Sequence, residues 1–385
     1  MHDLEEIEER VRGNDPRPLG RRRTRFPLGG SRTSLDGFRS NAKLSGESLK
    51  SFASLFDPTY NSVYDSFDLA QTVRGVGMDE ASAERQSRPS PDVILRRLHE
   101  VDEENAREKV EKLNEWILEV LFSSKELVIV IDFTVIPYYG KENPMLVSDS
   151  RLPGTNLGIK FAVLSVVEDG KTITLKTKQV NPLKSKVSVL EELLDYAEKL
   201  LDPRLALLDR GFYSVEAIRE LKSRNMDFIM PANKTVPVKE ICKKFKRGEA
   251  SSGTDYTVSG RKGEEEVRLL LTEKETENGT ETHPFITNLN IEPDKASENY
   301  SWRWRIETNI RELDKFKPFT TSRSMKLRRL YFLISMILYN LWILTRNGKE
   351  HPRAHEFKDW LKIELTALKI QEDSKTKPPP SSTPA

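Results

Sequence analysis

Three acidic residues carry the chemistry that this sequence suggests. Asp132 and Asp209 each follow a short apolar run typical of a buried strand, and Glu307 lies in a helical segment. Carboxylate oxygens at the ends of adjacent strands, completed by an acid from a following helix, are the ligands that Mg²⁺ prefers. Two such ions about 4 Å apart can activate a water or a 3′-hydroxyl and stabilise the leaving oxygen of a phosphodiester. We therefore expect two Mg²⁺ ions, which Mn²⁺ can replace, bound by these acids.

Two further residues share a helix face with Glu307. Tyr300, Arg303 and Glu307 lie at positions i, i+3 and i+7, so that a helix projects them to one side. Arg303 can grip a phosphate with its planar guanidinium group, and Tyr300 can stack on nucleic acid or form a hydrogen bond to it. The spacing therefore predicts an acid, a cation and a phenol that face one cleft.

The same acids allow a purely structural interpretation. Aspartates at strand ends often cap helices or form turns. Glu307 can likewise belong to a solvated helix face, where it would pair with Arg311. The spacing alone leaves both interpretations open.

The segments around these residues predict a mixed α/β fold. The β-branched run at 126–132 is typical of a strand buried on both faces and ends at the first aspartate. Strand-like runs at 160–167 and 171–180 enclose a predicted hairpin turn. Helical spacing then returns at 187–201, before a short buried strand at 205–208. The order of strand, hairpin, helix and strand, followed by another helix and strand, indicates a mixed sheet with flanking helices.

Composition divides the chain into four regions. An insertion predicted to be β-rich, about 233–282, interrupts the catalytic region, and two long helices, about 296–317 and 323–346, follow it. The regions are a mostly unfolded basic arm (1–50), a helical module that can bind DNA (51–125), a catalytic domain (126–346), and a carboxyl-terminal helix with a Pro- and Ser-rich tail (347–385).

Overall charge says little about partners, whereas its distribution says more. The 62 Lys and Arg residues nearly balance the 60 Asp and Glu residues, which leaves a formal charge of +2. Arginines are concentrated in residues 1–50, where three stand in a row at 21–23. Such an arm can contact nucleic acid or can be a solvated tail that binds nothing specific.

Cysteine usage and the apolar segments indicate a compartment. Cys242 is the only cysteine in the sequence, so that an intramolecular disulfide and a Cys-based zinc cluster are both excluded. The first residues lack the features of a signal peptide, and we expect a cytoplasmic protein. The apolar run 330–344, interrupted by Asn340, is shorter than the about 20 residues that a membrane span needs. It predicts a core helix and no membrane partner.

The local sequences around the acids resemble insertion-sequence transposases of the DDE class, and most of all the family numbered four. The resemblance is carried by the segments Asp132–Thr134, Asp209–Tyr213 and Tyr300–Glu307, in that order and layout, within residues 126–346. It implies a ribonuclease-H-like catalytic domain with a β-rich insertion between the second Asp and the Glu. It also implies that Asp132, Asp209 and Glu307 bind the metal ions, whereas Tyr300 and Arg303 contact DNA near the transposon end.

The chain departs from that family at one position. The family signature has a lysine where this chain has Asp314, and Lys315 follows. An acid at 314 would repel a phosphate, so we expect Lys315 to make this DNA contact, either through its flexible stem or through a π-bulge after Glu307. Lys317 is a weaker candidate, and Lys315 can also be an ordinary surface cation without a DNA contact.

By resemblance, the expected activity is cut-and-paste DNA transposition by a homodimer that holds two transposon ends. Hydrolysis would expose a 3′-hydroxyl at each end, and that hydroxyl would attack target DNA. A ribonuclease-H-like nuclease or resolvase is the alternative, because this fold hosts several activities. A domesticated DNA-binding derivative without activity is a third possibility, which the intact acid triad disfavours.

Overall fold

A computed structural model describes residues 46–55, 91–168, 170–276, 279–316, 320, 322–346 and 352–376, although the side chains of some helical residues, including 304–311 and 314, are outside that description. The helices in these ranges are α1 (Gly46–Ser54), α2 (Pro91–Glu100), α3 (Glu103–Leu121), α4 (Lys186–Leu200), α5 (Val215–Ser223), α6 (Val236–Lys246), α7 (Pro293–Leu313), α8 (Met325–Thr345) and α9 (Ala354–Thr376). The strands are β1 (Val128–Pro137), β2 (Val147–Ser148), β3 (Leu157–Glu168), β4 (Lys171–Gln179), β5 (Leu205–Leu208), β6 (Phe228–Pro231), β7 (Gly253–Gly260), β8 (Gly263–Thr276) and β9 (Gly279–Thr287).

These strands form one mixed sheet with the order β2-β3-β1-β5-β6-β9-β8-β7, and β4 pairs with β3. The pairs β1/β5 and β5/β6 are parallel, and each is joined by a connection that contains a helix, as parallel pairing requires. The other pairs are antiparallel. The mixed α/β class, the β3–β4 hairpin and the alternation that follows it are confirmed.

Strand β1 is longer than its apolar pattern indicates. We expected the strand to end at Asp132, but it continues to Pro137. The parallel ladder with β5 does end at the pair Ile131/Leu208, whereas the antiparallel ladder with β3 continues to the pair Pro137/Gly158. The prediction was wrong for the strand because the residues after Asp132 are still paired on one side.

The predicted β-rich insertion belongs to the same sheet. Residues 233–282 contain α6, β7, β8 and the start of β9. Because β9 pairs antiparallel with β6, its strands continue the central sheet beyond the parallel pairs. The insertion therefore shares a hydrogen-bonded frame with the strands that carry the two aspartates.

Helix α8 is the predicted core helix. By length and composition it could cross a membrane, but 94% of its most apolar window is buried within the protein. Its Asn340 carboxamide donates to Asn114 Oδ1 at 2.8 Å and to the backbone oxygen of Thr174 at 2.7 Å. It also accepts a hydrogen bond from the Thr174 N–H at 3.0 Å. These bonds join α8 to α3 and β4 inside the core.

The amino-terminal region corrects one boundary. Residues 46–50, which we assigned to the mostly unfolded arm, belong to α1. Leu49, Phe52 and Ala53 of this helix are buried, and Lys109 of α3 donates to the backbone oxygen of Ser54 at 2.6 Å. The helix forms because its apolar side chains can pack against α3 and α9. The rest of the arm and residues 377–385 lie outside the described part of the chain.

Candidate active site

The parallel strands β1 and β5 bring the two aspartates to the same edge of the sheet. The Asp209 N–H donates to the Ile131 backbone oxygen at 3.0 Å, directly after the last residue pair of the ladder. Asp209 then caps a short 3₁₀ turn, Arg210–Phe212, and its Oδ1 accepts from the Gly211 N–H at 2.5 Å. Asp132 Oδ1 accepts from the Phe133 N–H at 2.8 Å. Both carboxylates thus keep one oxygen bonded to the backbone, which fixes their orientation.

Arg303 of α7 lies between the two carboxylates. Its Nη1 is 2.6 Å from Asp132 Oδ2 and 3.8 Å from Asp209 Oδ2. The Asp132 side chain is only 4% exposed and that of Arg303 only 13%, so that water screens the closer pair weakly. The Arg303 guanidinium therefore bridges the two carboxylates at the edge where the strands end. The helix face that residues 300, 303 and 307 share predicts this position for residue 303.

The environment of Asp132 disfavours its charged form. Burial raises the pKa of this carboxyl to about 7, and the nearby Asp209 charge adds to the rise, although the Arg303 charge opposes it. A divalent cation would offset the burial and the repulsion together. Two carboxylates, one buried and one half-buried, whose outer oxygens lie 2.6 and 3.8 Å from the same Arg303 Nη1 also form the oxygen donor set that such an ion binds. These residues therefore fit a divalent metal ion.

Tyr300 lies in the core and not on the cleft surface. The residue is only 5% exposed, and its hydroxyl donates to the Leu208 backbone oxygen at 3.2 Å. Its ring packs against Phe285 of β9, with the centroids 5.0 Å apart. The predicted stacking on DNA does not fit this burial. The hydroxyl instead supports the backbone of β5 one residue before Asp209.

The roles predicted for the third acid, Glu307, and for Lys315 stay predictions. Glu307 is in α7, about one turn beyond Arg303, and its side chain is outside the described part of the chain, so that its metal contact stays a prediction. Lys315 is exposed and forms an ion pair with Glu312. It lies in a 3₁₀ turn, Asp314–Phe316, and the predicted π-bulge is absent from the described backbone between 307 and 315. A DNA contact by Lys315 also stays a prediction, and Lys317 is outside the described residues.

A polar cleft of about 740 Å³ opens beside the carboxylates. Its lining combines the two aspartates and Arg303 with residues of β1, the β2 region and β3: Asp132, Phe133, Thr134, Val135, Val147, Ser148, Asp149, Ser150, Arg151, Lys160, Asp209 and Arg303. Sequence reasoning missed the cations Arg151 and Lys160. Lys160 could have been noticed, because it is the one charged residue of the apolar strand β3 before the last residue of that strand, Glu168.

An aromatic pair fixes the turn after Asp209. Phe133 stacks on Phe212 with centroids 4.2 Å apart and an interplanar angle of 17°. A Cβ atom at Gly211 would lie 2.6 Å from the Phe133 ring, closer than side chains approach, so that the stack requires glycine there. The segment Asp209–Phe212 therefore packs directly on the residue that follows Asp132.

Comparison with solved structures shows a protein with a similar fold. The cryo-EM structure of the piggyBac transposase synaptic complex with hairpin DNA aligns with 90% of this chain and 82% of its own chain, with a TM-score of 0.57 and 12% sequence identity. The crystal structure of the Mos1 strand transfer complex aligns with 45% of this chain and 60% of its own, at 15% identity, and its TM-score of 0.17 is too low to support an argument.

The sequence comparisons differ in outcome. No curated protein matches the chain as a relative in sequence. Residues 123–341, however, match the transposase DDE domain family. This range contains both strand-end aspartates, Arg303 and Glu307. Because the match extends over more than half of the chain and agrees with the geometry of the aspartates, the protein belongs to the transposase DDE domain family.

Proposed function

We propose that this transposase moves DNA by a cut-and-paste reaction. Hydrolysis of a phosphodiester at each transposon end releases a 3′-hydroxyl, and this hydroxyl then attacks a phosphodiester of the target DNA. The observation that carries the proposal is the pair of carboxylates, Asp132 and Asp209, whose outer oxygens both lie within ion-pair distance of Arg303 Nη1, at 2.6 and 3.8 Å, at one edge of the sheet. No covalent intermediate on the protein is needed, because the attacking group is a water or the DNA itself.

Divalent metal ions are general to this family, and we propose two Mg²⁺ ions, which Mn²⁺ can replace. Asp132 and Asp209 would hold them, with Glu307 as the third ligand. When bound, such ions activate the attacking hydroxyl and stabilise charge on the leaving oxygen. The raised pKa of Asp132 supports this assignment, since a cation would relieve the cost of its charged form.

The chain's own residues would hold and orient the DNA strand. Arg303 can turn its guanidinium from Asp132 to a phosphate oxygen, which offers the same charge-assisted hydrogen bonds. Tyr300 would not touch the DNA. Its hydroxyl donates a hydrogen bond to the Leu208 carbonyl and so helps to hold the next residue, Asp209, in position. Lys315, although paired with Glu312 and exposed, remains a candidate for a phosphate contact farther along the helix.

The assembly that we propose is a homodimer on two transposon ends. The piggyBac transposase, which shares the fold, was solved as a synaptic complex with hairpin DNA. We infer that the present chain likewise binds transposon-end DNA, and a hairpin intermediate is compatible with this chemistry. The joining of two ends in one complex is what makes a dimer necessary.

A strand-transfer assay with precut ends tests the proposal. The wild-type protein, in Mg²⁺ or Mn²⁺, should join a precut transposon end to a supercoiled plasmid, and uncut ends should be cleaved first. A ribonuclease-H-like nuclease would cut without joining. An inactive DNA-binding derivative would do neither. Either of the last two results would overturn the proposed function.

A further inference from the structure

Two lysines, Lys160 and Lys186, lie near the carboxylates without forming a close ion pair with a described acid. Lys160 of β3 is half-buried, and its Nζ lies 3.9 Å from the centre of the Phe133 ring. Lys186, the first residue of α4, has its Nζ 5.8 Å from the centre of the same ring and donates to the Gly211 backbone oxygen at 3.2 Å. Among the described residues, neither ammonium group has a carboxylate at ion-pair distance.

This arrangement concentrates positive charge at a cost. Burial lowers the pKa of the Lys160 ammonium and the nearby Lys186 charge lowers it further, although the charges of Asp209, Asp132 and Asp149 oppose this shift. Lys186 also stands in the first turn of a helix, where the helix dipole disfavours a cation. That turn has no acidic residue to compensate. An anion placed between the two ammonium groups would relieve each of these unfavourable interactions.

The two lysines are close to the reacting groups. Phe133 directly follows Asp132 in β1, and Gly211 follows Asp209 by two residues. Lys160 lines the same cleft as both aspartates. The stack of Phe133 on Phe212 fixes the ring against which Lys160 packs. An anion held by the lysines would thus lie in the same cleft as the two carboxylates, beside the Phe133 ring.

We propose that Lys160 and Lys186 bind one backbone phosphate of the DNA strand, adjacent to the phosphate that reacts, and so position the strand on Asp132 and Asp209. The inference rests on the proposed function, since the strand is taken to be the transposon end. Both lysines are positioning residues, because the phosphodiester that they would bind is not the one that is cleaved. Phe133 would serve as the rigid surface that keeps Lys160 directed toward the cleft.

Binding measurements without metal test the lysines apart from catalysis. We would titrate a fluorescent duplex that carries the element's terminal sequence, in EDTA, at several salt concentrations. The variants are Lys160→Met, which keeps the apolar stem on Phe133, and Lys186→Gln; the matched control is Lys125→Gln, an exposed lysine that precedes the opposite end of β1. Each test variant should bind about tenfold more weakly, and the double variant should lower the salt slope by about 1. The control should do neither.

A duplex with one uncharged methylphosphonate at a time locates the contact. The wild-type protein should lose affinity when the phosphate next to the cleavage position is neutral, and Lys160→Met should show no further loss at that position alone. Lys160→Arg should restore the sensitivity. Equal losses at every position, or an unchanged salt slope in the double variant, would overturn the inference. Lys186→Gln, an exposed substitution, gives the same answer if Lys160→Met fails to fold.

The two proposals fail in different ways. If the wild-type protein neither cleaves nor joins ends, the proposed function fails. If the wild-type protein does both while the lysine variants keep its affinity and its salt slope, only the phosphate contact is refuted.

Discussion

Arg303 covers the oxygen of Asp132 that a metal ion would use, because its Nη1 lies 2.6 Å from Asp132 Oδ2. The arginine and a divalent cation would therefore compete for this oxygen in the DNA-free protein. A phosphate that draws Arg303 away would make the oxygen available. Metal binding and DNA binding should then assist one another, as any two ligands do that displace the same contact.

The first prediction follows from this competition. Arg303→Ala should raise the affinity of the DNA-free protein for Mn²⁺ by about tenfold, comparable to the loss of one charge-assisted hydrogen bond, even though DNA cleavage falls. Titration calorimetry at a pH above 7 measures the affinity. Arg151→Ala is the control, because Arg151 lines the cleft but pairs with Asp149. Unchanged or weaker metal binding by Arg303→Ala would show that the arginine and the metal ion do not compete for Asp132.

A second prediction concerns the three acids. Asp132→Asn, Asp209→Asn and Glu307→Gln should each abolish cleavage and joining, whereas binding to transposon ends stays nearly intact, because a metal ligand is lost with little change of surface. Gel shifts and cleavage assays report the two properties separately. Asp195→Asn, an exposed surface change, should behave as the wild type. More than about a tenth of the wild-type cleavage in Mg²⁺ would remove that acid from the site.

A third prediction concerns pH. The pKa of Asp132 is raised in the folded protein to about 7, so that between about pH 4 and about pH 7 the folded state binds more protons than the unfolded state. The contribution of Asp132 to stability is therefore fully present at low pH and is lost as the pH rises through that window. In EDTA, Asp132→Asn should gain free energy of unfolding relative to the wild type as pH rises, as measured by urea titrations.

The control for this experiment is Asp149, because its pKa is shifted in the opposite direction. Hydrogen bonds from Arg151 lower the pKa of Asp149 to about 2, so the charged form of Asp149 is favoured at neutral pH. Asp149→Asn should therefore show no gain between pH 4 and pH 7. Equal pH profiles for the wild type and Asp132→Asn would contradict the raised pKa.

A fourth prediction separates support from DNA contact at Tyr300. Tyr300→Phe removes the hydrogen bond to the Leu208 carbonyl, with a cost of about 1 kcal/mol in stability. We expect slower cleavage at an unchanged affinity for transposon ends, because the side chain is buried and Asp209 loses its support. Tyr339→Phe, a buried change in the α8 core, serves as the control for lost stability. A selective loss of DNA affinity in Tyr300→Phe would favour a direct contact.

A fifth prediction concerns the basic arm. Deletion of residues 1–45, which leaves α1 intact, should weaken DNA binding and flatten its dependence on salt, since each lost phosphate contact lowers the slope by about 1. Fluorescence anisotropy at several salt concentrations gives the slope. If the slope of the truncated protein equals that of the full chain, the arm is a solvated tail without a role in binding.

The meeting of Asp132 and Asp209 could be predicted because both follow buried apolar runs, and adjacent parallel strands end at one edge. The burial of Tyr300 could not, since helical spacing tells which residues share a face but not what that face contacts. Lys160 was missed for a related reason. A strand buried on both sides shows no alternation, so that Lys160 stands out in the sequence only as a charge within an apolar run and not as a residue that reaches the cleft.

The helix end near Lys315 illustrates a long-range effect. Helix α7 tightens to a 3₁₀ turn at Asp314–Phe316, and Phe316 there packs in an aromatic cluster with Tyr339, Trp342 and Phe357. Local spacing cannot anticipate this, because three of the four aromatic residues come later in the chain. The π-bulge that we expected was an inference from local register only.

The buried Asn340 side chain contributes to the alignment of helix α8. A slip by one residue would turn its side chains by about 100° and disturb the close packing around them. Asn340 adds a polar requirement, because at its present height it meets the Thr174 backbone and Asn114 together. A slipped helix would strand these polar groups in hydrocarbon, at about 1–3 kcal/mol for each. Apolar packing holds the helix in the core, and its position along its own axis is fixed by Asn340 together with the contacts of Arg329 with Glu103 and of Trp342 with the Pro352 carbonyl.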